Sequence, residues 1–148
     1  MTRHLAVGVL ACAAWLTACS GSSSSASASA SLQGPLLVSD GSWNGGMAGL
    51  VGGPLARIGT CIGAGGSMVV WPEGVRWDEQ QESLVLADGA LVGLGQEVHG
   101  GGGSMDTAAV NTLFGSDAAD ALKQCGVEVG SEVMVFNVGS GVTAGPAG

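Results

Sequence analysis

His99, Ser104 and Asp106 bring together an imidazole, a hydroxyl and a carboxylate within eight positions, the groups of a nucleophilic hydrolase. Ser104 lacks the Gly-x-Ser-x-Gly elbow that presents such a nucleophile. A lone histidine at a strand end more often serves as a hydrogen-bonded structural residue than as a base. The expected catalytic set is therefore empty, and a small hydrolase or ligand-binding enzyme using His99 and nearby carboxylates is the alternative. Gly100-Gly101-Gly102-Gly103 has the composition of a phosphate cradle. It lacks both the Lys-Ser/Thr of a P-loop and the spacing of a dinucleotide fingerprint, so a strand-to-helix turn is expected. Glu73, Asp78, Glu79 and Glu82 form the densest acidic stretch. Without calcium-loop spacing they read as a solvated loop, and no metal or cofactor is expected.

Cysteine placement is more informative. Met1-Thr2-Arg3-His4 is a basic opening, Leu5 to Leu16 is an apolar run, and Leu16-Thr17-Ala18-Cys19 follows. This resembles the bacterial lipobox, and the run has signal-peptide length. The resemblance implies removal of residues 1–18, acylation of Cys19, and an extracytoplasmic protein held on the cell membrane or envelope. With Cys12 removed and Cys19 acylated, Cys61 and Cys125 remain as an even pair in an oxidising place. Redox pairs usually have Cys-x-x-Cys spacing, and zinc would need more ligands than His99 can add. A structural disulfide is the expectation.

Composition narrows the partners. Four Lys/Arg face twelve Asp/Glu, a formal charge of −8, which argues against nucleic acid because phosphate contacts require cations. At 46% hydrophobic residues the chain has material for a core, and its 28 glycines show no collagen period. Trp71 and Trp77 fit core or core-edge positions. Trp43, in the Gly-rich loop Trp43-Asn44-Gly45-Gly46, is the candidate partner-binding residue.

The pattern divides the chain into a signal (1–18), a lipidated cysteine with a flexible Ser/Ala linker (19–35), one globular domain (36–138) and a flexible tail (139–148). Strands are expected at Leu36–Val38, Leu55–Ile62, Ser67–Trp71 and Glu132–Val138. Trp71-Pro72-Glu73-Gly74 suits a type I turn. Ser83–Ala87 and Ala90–Leu94 suit a hairpin closed by a type I′ turn at Asp88-Gly89, its second arm extended through Gln96–His99 past a bulge at Gly95. Val110, Leu113 and Phe114 mark a helix capped by Asp106. Ala118, Ala121, Leu122 and Cys125 mark a second, capped by Ser116 and stopped at Gly126. The expected fold is mainly β with a late helical segment (α+β): a small β-barrel or curled antiparallel sheet, with helices between the last two strands.

Val69-Val70-Trp71-Pro72-Glu73-Gly74, the hairpin, and Gly93-Leu94-Gly95-Gln96-Glu97-Val98-His99-Gly100-Gly101-Gly102 together resemble a small domain of exported actinobacterial lipoproteins. The resemblance implies location and fold and leaves activity open. The function expected from the sequence is a membrane-anchored domain that binds or braces an envelope component without catalysis.

Overall fold

The structure, a computed structural model, describes residues 26–146. Cys19 and the signal-like opening lie outside the described residues.

Three strands are apolar almost without alternation: β2 (Leu36–Ser39), β5 (Met68–Trp71) and β10 (Glu132–Phe136). Runs of this kind belong to strands buried on both faces. Along β5, Met68 and Val70 enter one hydrophobic cluster and Val69 and Trp71 another. In β2, Leu37 joins the first cluster while Leu36 and Val38 join the second; in β10, Val133 and Val135 are opposed to Phe136. β5 is parallel to both β2 and β10. The remaining strands of the large sheet are β1 (Ala30–Gln33), β3 (Gly49–Ile58), β4 (Cys61–Ala64), β9 (Glu97–Asp106) and β11 (Thr143–Ala144). Its order is β1-β2-β5-β10-β9-β3-β4, with β11 also on β9. Two helices, α1 (Thr107–Phe114) and α2 (Ser116–Gln124), cover the first face. A three-stranded sheet, β6 (Arg76–Asp78), β7 (Ser83–Val85) and β8 (Leu91–Gly93), covers the second through Leu84 and Val92.

The fold is therefore mainly β with two late helices between β9 and β10, as expected, but the sheet is mixed and does not close into a barrel. It curls until β4 lies beside β2 and β5. There the Ile62 N–H donates to Pro35 O (2.9 Å) and the Trp71 indole donates to Ile62 O (3.1 Å). With the Ile62 carbonyl taken by the indole, backbone pairing at the seam is limited to the Ile62–Pro35 bond and an isolated bridge between Ala64 and Ser67. Trp71 also stacks on Phe136, with ring centroids 5.5 Å apart.

Both proposed boundaries move. β1 forms inside the segment assigned to the linker, because its residues pair with β2 from Ala30↔Ser39 to Gln33↔Leu36 and Ala28 and Ala30 are buried under the helices. β11 forms inside the proposed tail, with Val142 packed into the second cluster. Leu55–Ile62 is two strands rather than one, divided by a turn at Gly59-Thr60.

The turns are also re-registered. Val75 N–H bonds Pro72 O with Gly74 at φ 89°, so the turn runs Pro72–Val75 as type II rather than starting at Trp71. In the hairpin, Leu86 and Ala90 close a three-residue loop, and only Gly89 of the expected Asp-Gly pair has positive φ (87°). That is a type I turn with a glycine bulge instead of type I′. The expected extension past Gly95 fails because Gly93–Gln96 is itself a turn, with Gly95 at φ 84°, and β9 leaves for the large sheet.

The helices follow local rules. Asp106 caps α1 by accepting from Ala109 N–H at 2.8 Å. Gly115, not Ser116, holds the N-cap position of α2, because the two helices abut and the junction needs φ 86°. At its end, Val127 N–H bonds Leu122 O and Gly126 N–H bonds Lys123 O, a Schellman motif with Gly126 at φ 79°.

Gly100–Gly103, expected as a turn, lies within β9. The need for glycine is steric. A Cβ at Gly102 would run into the Val135 carbonyl oxygen and lie 2.7 Å from Val51 Cγ2, and one at Gly100 would lie 3.0 Å from the Phe136 ring. Between β10 and β3, the most tightly enclosed position of β9 is Gly102, which meets the backbone of Val135. Gly102→Ala should thus lower stability by about 1–3 kcal/mol, whereas Gly141→Ala, with open space around it, should stay within about 0.5 kcal/mol. Urea unfolding of the two variants checks this contrast.

Cys61, at the start of β4, is bridged to Cys125, at the end of α2, with Cα atoms 5.3 Å apart. Beside the bridge, Thr60 Oγ1 donates to Gln124 O at 3.1 Å. The bridge closes the helical layer onto an edge strand across 64 positions of sequence. Reducing it should lower stability by roughly 4 kcal/mol in the chain-entropy model, read as a lower unfolding midpoint with the transition still cooperative.

Candidate functional site

The strand geometry separates the residues that suggested chemistry. His99 and Ser104 are five positions apart on β9, so they face opposite sides of the sheet. Asp106 is committed to the helix cap. His99 Nδ1 lies 2.7 Å from Gly145 O. A carbonyl oxygen only accepts, so Nδ1 carries the hydrogen and donates it. Of the acidic stretch, Asp78 accepts from the N–H groups of Gln80 and Gln81, and Glu82 pairs with Arg57 at 2.8 Å. Among the described residues no three His, Cys, Asp or Glu gather as a metal site.

Trp43 is half-buried and packs on the helical cluster, its ring edge-on to Phe114 at 6.0 Å. Its loop is pinned at both ends. The Ser42 hydroxyl and N–H donate to Asp40, and Asp40 N–H donates to Ser29 O at 3.0 Å. At the far end, the Asn137 side chain both accepts from Met47 N–H (2.9 Å) and donates to Met47 O (2.8 Å).

Five large apolar side chains are exposed among the described residues, and the most exposed, Val129 (88%), lies beside α1 and α2. Leu50 (62% exposed), Leu91 (50%) and Leu94 (41%) all lie around the N-terminal half of β9. Leu50, Val51, Gly52 and Gly53 form an open pocket of about 260 Å³ with Glu97, Val98 and His99. The register places Gly52 and Thr143 on either side of His99. A second depression of about 500 Å³ is lined by Leu91, Val92, Gln96, Glu97 and the tail residues Ala144, Gly145 and Pro146. Glu97 belongs to both, so the two are continuous across the sheet edge. The pocket at His99 offers an imidazole and a carboxylate but no serine, threonine, cysteine or lysine. Its lining is apolar apart from the His99 imidazole and the Glu97 carboxylate.

Sequence reasoning missed this face. Leu50 and Leu91 have the hydrophobicity of core residues, and nothing local tells which strand end the helices leave uncovered. The one available signal was Leu91 falling out of step with the buried Val92 in the hairpin.

The Asp40 carboxyl is held down to about 2 from 3.8, chiefly by the Ser42 side-chain hydrogen bond, then by the Ser42 N–H. A carboxylate with a depressed pKa adds stability that is fully present above the unfolded value of 3.8 and is lost as pH falls through about 2. Carboxyl NMR titration should find Asp40 titrating near 2, and Ser42→Ala should raise it toward 3.8.

Compared with protein-family models, with curated proteins and with solved structures, the chain finds no match in any of the three.

Proposed function

We propose that this is an exported, lipid-anchored domain that binds a component of the cell envelope without catalysis, through the face around Leu50, Leu91 and Leu94. The observation carrying this reading is that Leu50, Leu91 and Leu94, three of the five large apolar side chains exposed among the described residues, lie around one end of β9. Monomeric surfaces scatter such residues singly, and a gathered patch rimmed by polar groups marks a contact site.

The lipobox resemblance at Leu16–Cys19 supplies the anchor in this reading, and the Cys61–Cys125 bridge suits an oxidising, extracytoplasmic setting. The described chain enters beside the helical layer, where Ala28 N–H bonds Leu113 O. That layer starts at Asp106, and Glu97 lies at the other end of β9, about 30 Å away along an extended strand. Ala28 is already packed, so the chain from Cys19 to Ala28 reaches at most about 30 Å. Such an anchor would hold the body close to the bilayer. Confinement of this kind raises the effective concentration for a membrane-bound partner, so a modest apolar contact suffices.

A photo-crosslinking residue at position 50 or 91, introduced into the full chain in intact envelope, should capture one recurrent component, and the same probe at exposed position 116 should not. Cys19→Ser should abolish incorporation of labelled fatty acid and weaken the capture. Fatty-acid labelling that persists in Cys19→Ser removes the anchor, and equal capture from all three positions removes the face.

A further inference from the structure

We infer that Asn44-Gly45 is a site of spontaneous backbone modification, in which Asn44 cyclises onto the Gly45 nitrogen and opens to aspartate or isoaspartate, and that the isoaspartate form releases Trp43 from Phe114. The inference goes beyond the binding reading above and does not depend on it.

The chemistry needs only water. The Gly45 nitrogen gives up its proton and attacks Asn44 Cγ, the side-chain nitrogen leaves as ammonia with that proton, and a cyclic imide remains. Water then adds to either carbonyl of the imide. Opening at Cγ gives aspartate. Opening at the former backbone carbonyl gives isoaspartate, with the main chain now running through Cβ and Cγ. The net exchange is water in and ammonia out, with no change of oxidation state.

The chain has three asparagines, and their surroundings differ. Asn137 is held at both its side-chain oxygen and nitrogen by Met47, at 2.9 and 2.8 Å. Asn111 lies inside α1, whose hydrogen-bonded turns fix the torsions that cyclisation must change. Asn44 is exposed, in a stretch that belongs to no helix or strand. Among the described residues neither its side chain nor the Gly45 N–H has a hydrogen-bond partner. Asp-Gly pairs can form the same imide with loss of water, but both are tied down here. Asp40 accepts from Ser42, Asp88 accepts from Ala90 N–H (2.9 Å), and Gly89 N–H donates to Leu86 O (2.9 Å).

Position 45 is fixed as glycine by its neighbour. A Cβ there would run into the Trp43 indole nitrogen and lie 2.9 Å from Trp43 Cε2. Packing of the indole over the loop thus requires the residue whose nitrogen no side chain shields. The loop is pinned by Ser42 on Asp40 at one end and by Met47 on Asn137 at the other. Isoaspartate lengthens the main chain by one carbon between those pins and places a negative charge where Asn44 was neutral. The pins leave residues 43–46 to absorb the extra length, and there the indole lies over Gly45 and edge-on to Phe114 at 6.0 Å. Trp43 then loses its place on the helical cluster.

The test incubates the full chain at neutral and at mildly alkaline pH, folded and in urea, and follows it by peptide mass spectrometry with separation of the carboxylate isomers. In the folded chain Asn44 should convert to both products, no more slowly than in urea, and faster at the higher pH because attack needs the deprotonated nitrogen. Asn137 and Asp88 should react at least about tenfold faster in urea than when folded, since unfolding breaks the bonds that hold them. The converted chain should show red-shifted tryptophan emission. That shift should be absent from Asn44→Gln incubated in parallel, whose longer side chain closes a ring far more slowly. It should also be absent from freshly prepared Asn44→Asp, which carries the charge without the added length. Asn44 that stays intact in the folded chain while converting in urea overturns the site. Conversion with unchanged emission, or an equal shift in fresh Asn44→Asp, overturns the release of Trp43.

Discussion

Burial of the central strands on both faces is the constraint on which the rest of this structure depends. β2, β5 and β10 send successive side chains to opposite sides, and almost every one is apolar. One covering layer would leave Leu36, Val69, Trp71 and Phe136, or else Leu37, Val70, Val133 and Val135, in water. At roughly 1.5–3 kcal/mol for each fully buried large side chain, either set is comparable with the whole stability of a typical small domain. The chain therefore has to supply two covers, and it does so with α1–α2 on one side and β6–β8 on the other. The parallel pairing of β10 with β5 follows, since the chain crosses both covering layers between them, whereas β2 and β5 are connected through β3 and β4 of the same sheet.

Glycine solves the second packing problem. A Cβ at Gly102 would meet the Val135 carbonyl and one at Gly49 the Gly102 carbonyl, while Cβ atoms at Gly100, Gly101 and Gly103 would press on the side chains of Phe136, Ser140 and Met47. The same residues that invited a phosphate-loop reading are spent on close contact. Their cost in chain entropy is offset in part by the disulfide, which joins the edge strand of the curl to the end of α2 and limits the unfolded ensemble across 64 positions.

The partly covered end of β9 is what these two solutions leave over. The helices begin at Asp106 and cover the sheet near the C-terminal half of that strand, while the three-stranded sheet ends at Gly93 and hands the chain over through a tight turn. One face of that end is covered, with Val98 and Val142 packed in the cluster of Leu84 and Val92, while β11 flanks it and Leu50 and Leu91 stay exposed around it. The imidazole of His99 is engaged with a backbone carbonyl, and Ser104 lies on the other side of the sheet.

Local physics was legible in the sequence. Asp106 as a cap, the helical spacing of Val110 with Phe114 and of Ala118, Ala121 and Leu122, and Gly126 as a stop each depend on contacts within one turn of backbone, and each is present. The even pair of Cys61 and Cys125 was legible by chemistry, because few other uses suit two distant cysteines. What only the tertiary structure decided was non-local. Ser31 and Thr143 have the composition of linker and tail, and they lie in strands because β2 and β9 present unpaired edges to them. Asp88-Gly89 formed a bulged turn because Leu86 and Leu84 had to face the second core together. The glycines of β9 were a strand rather than a loop because two other backbones press against them, and Trp43 was drawn onto Phe114 for want of cover at the edge of the helical layer. A sequence states the propensity of each segment, but which backbone edges remain open, and which leucines are left outside, is settled by how three layers fit over one another.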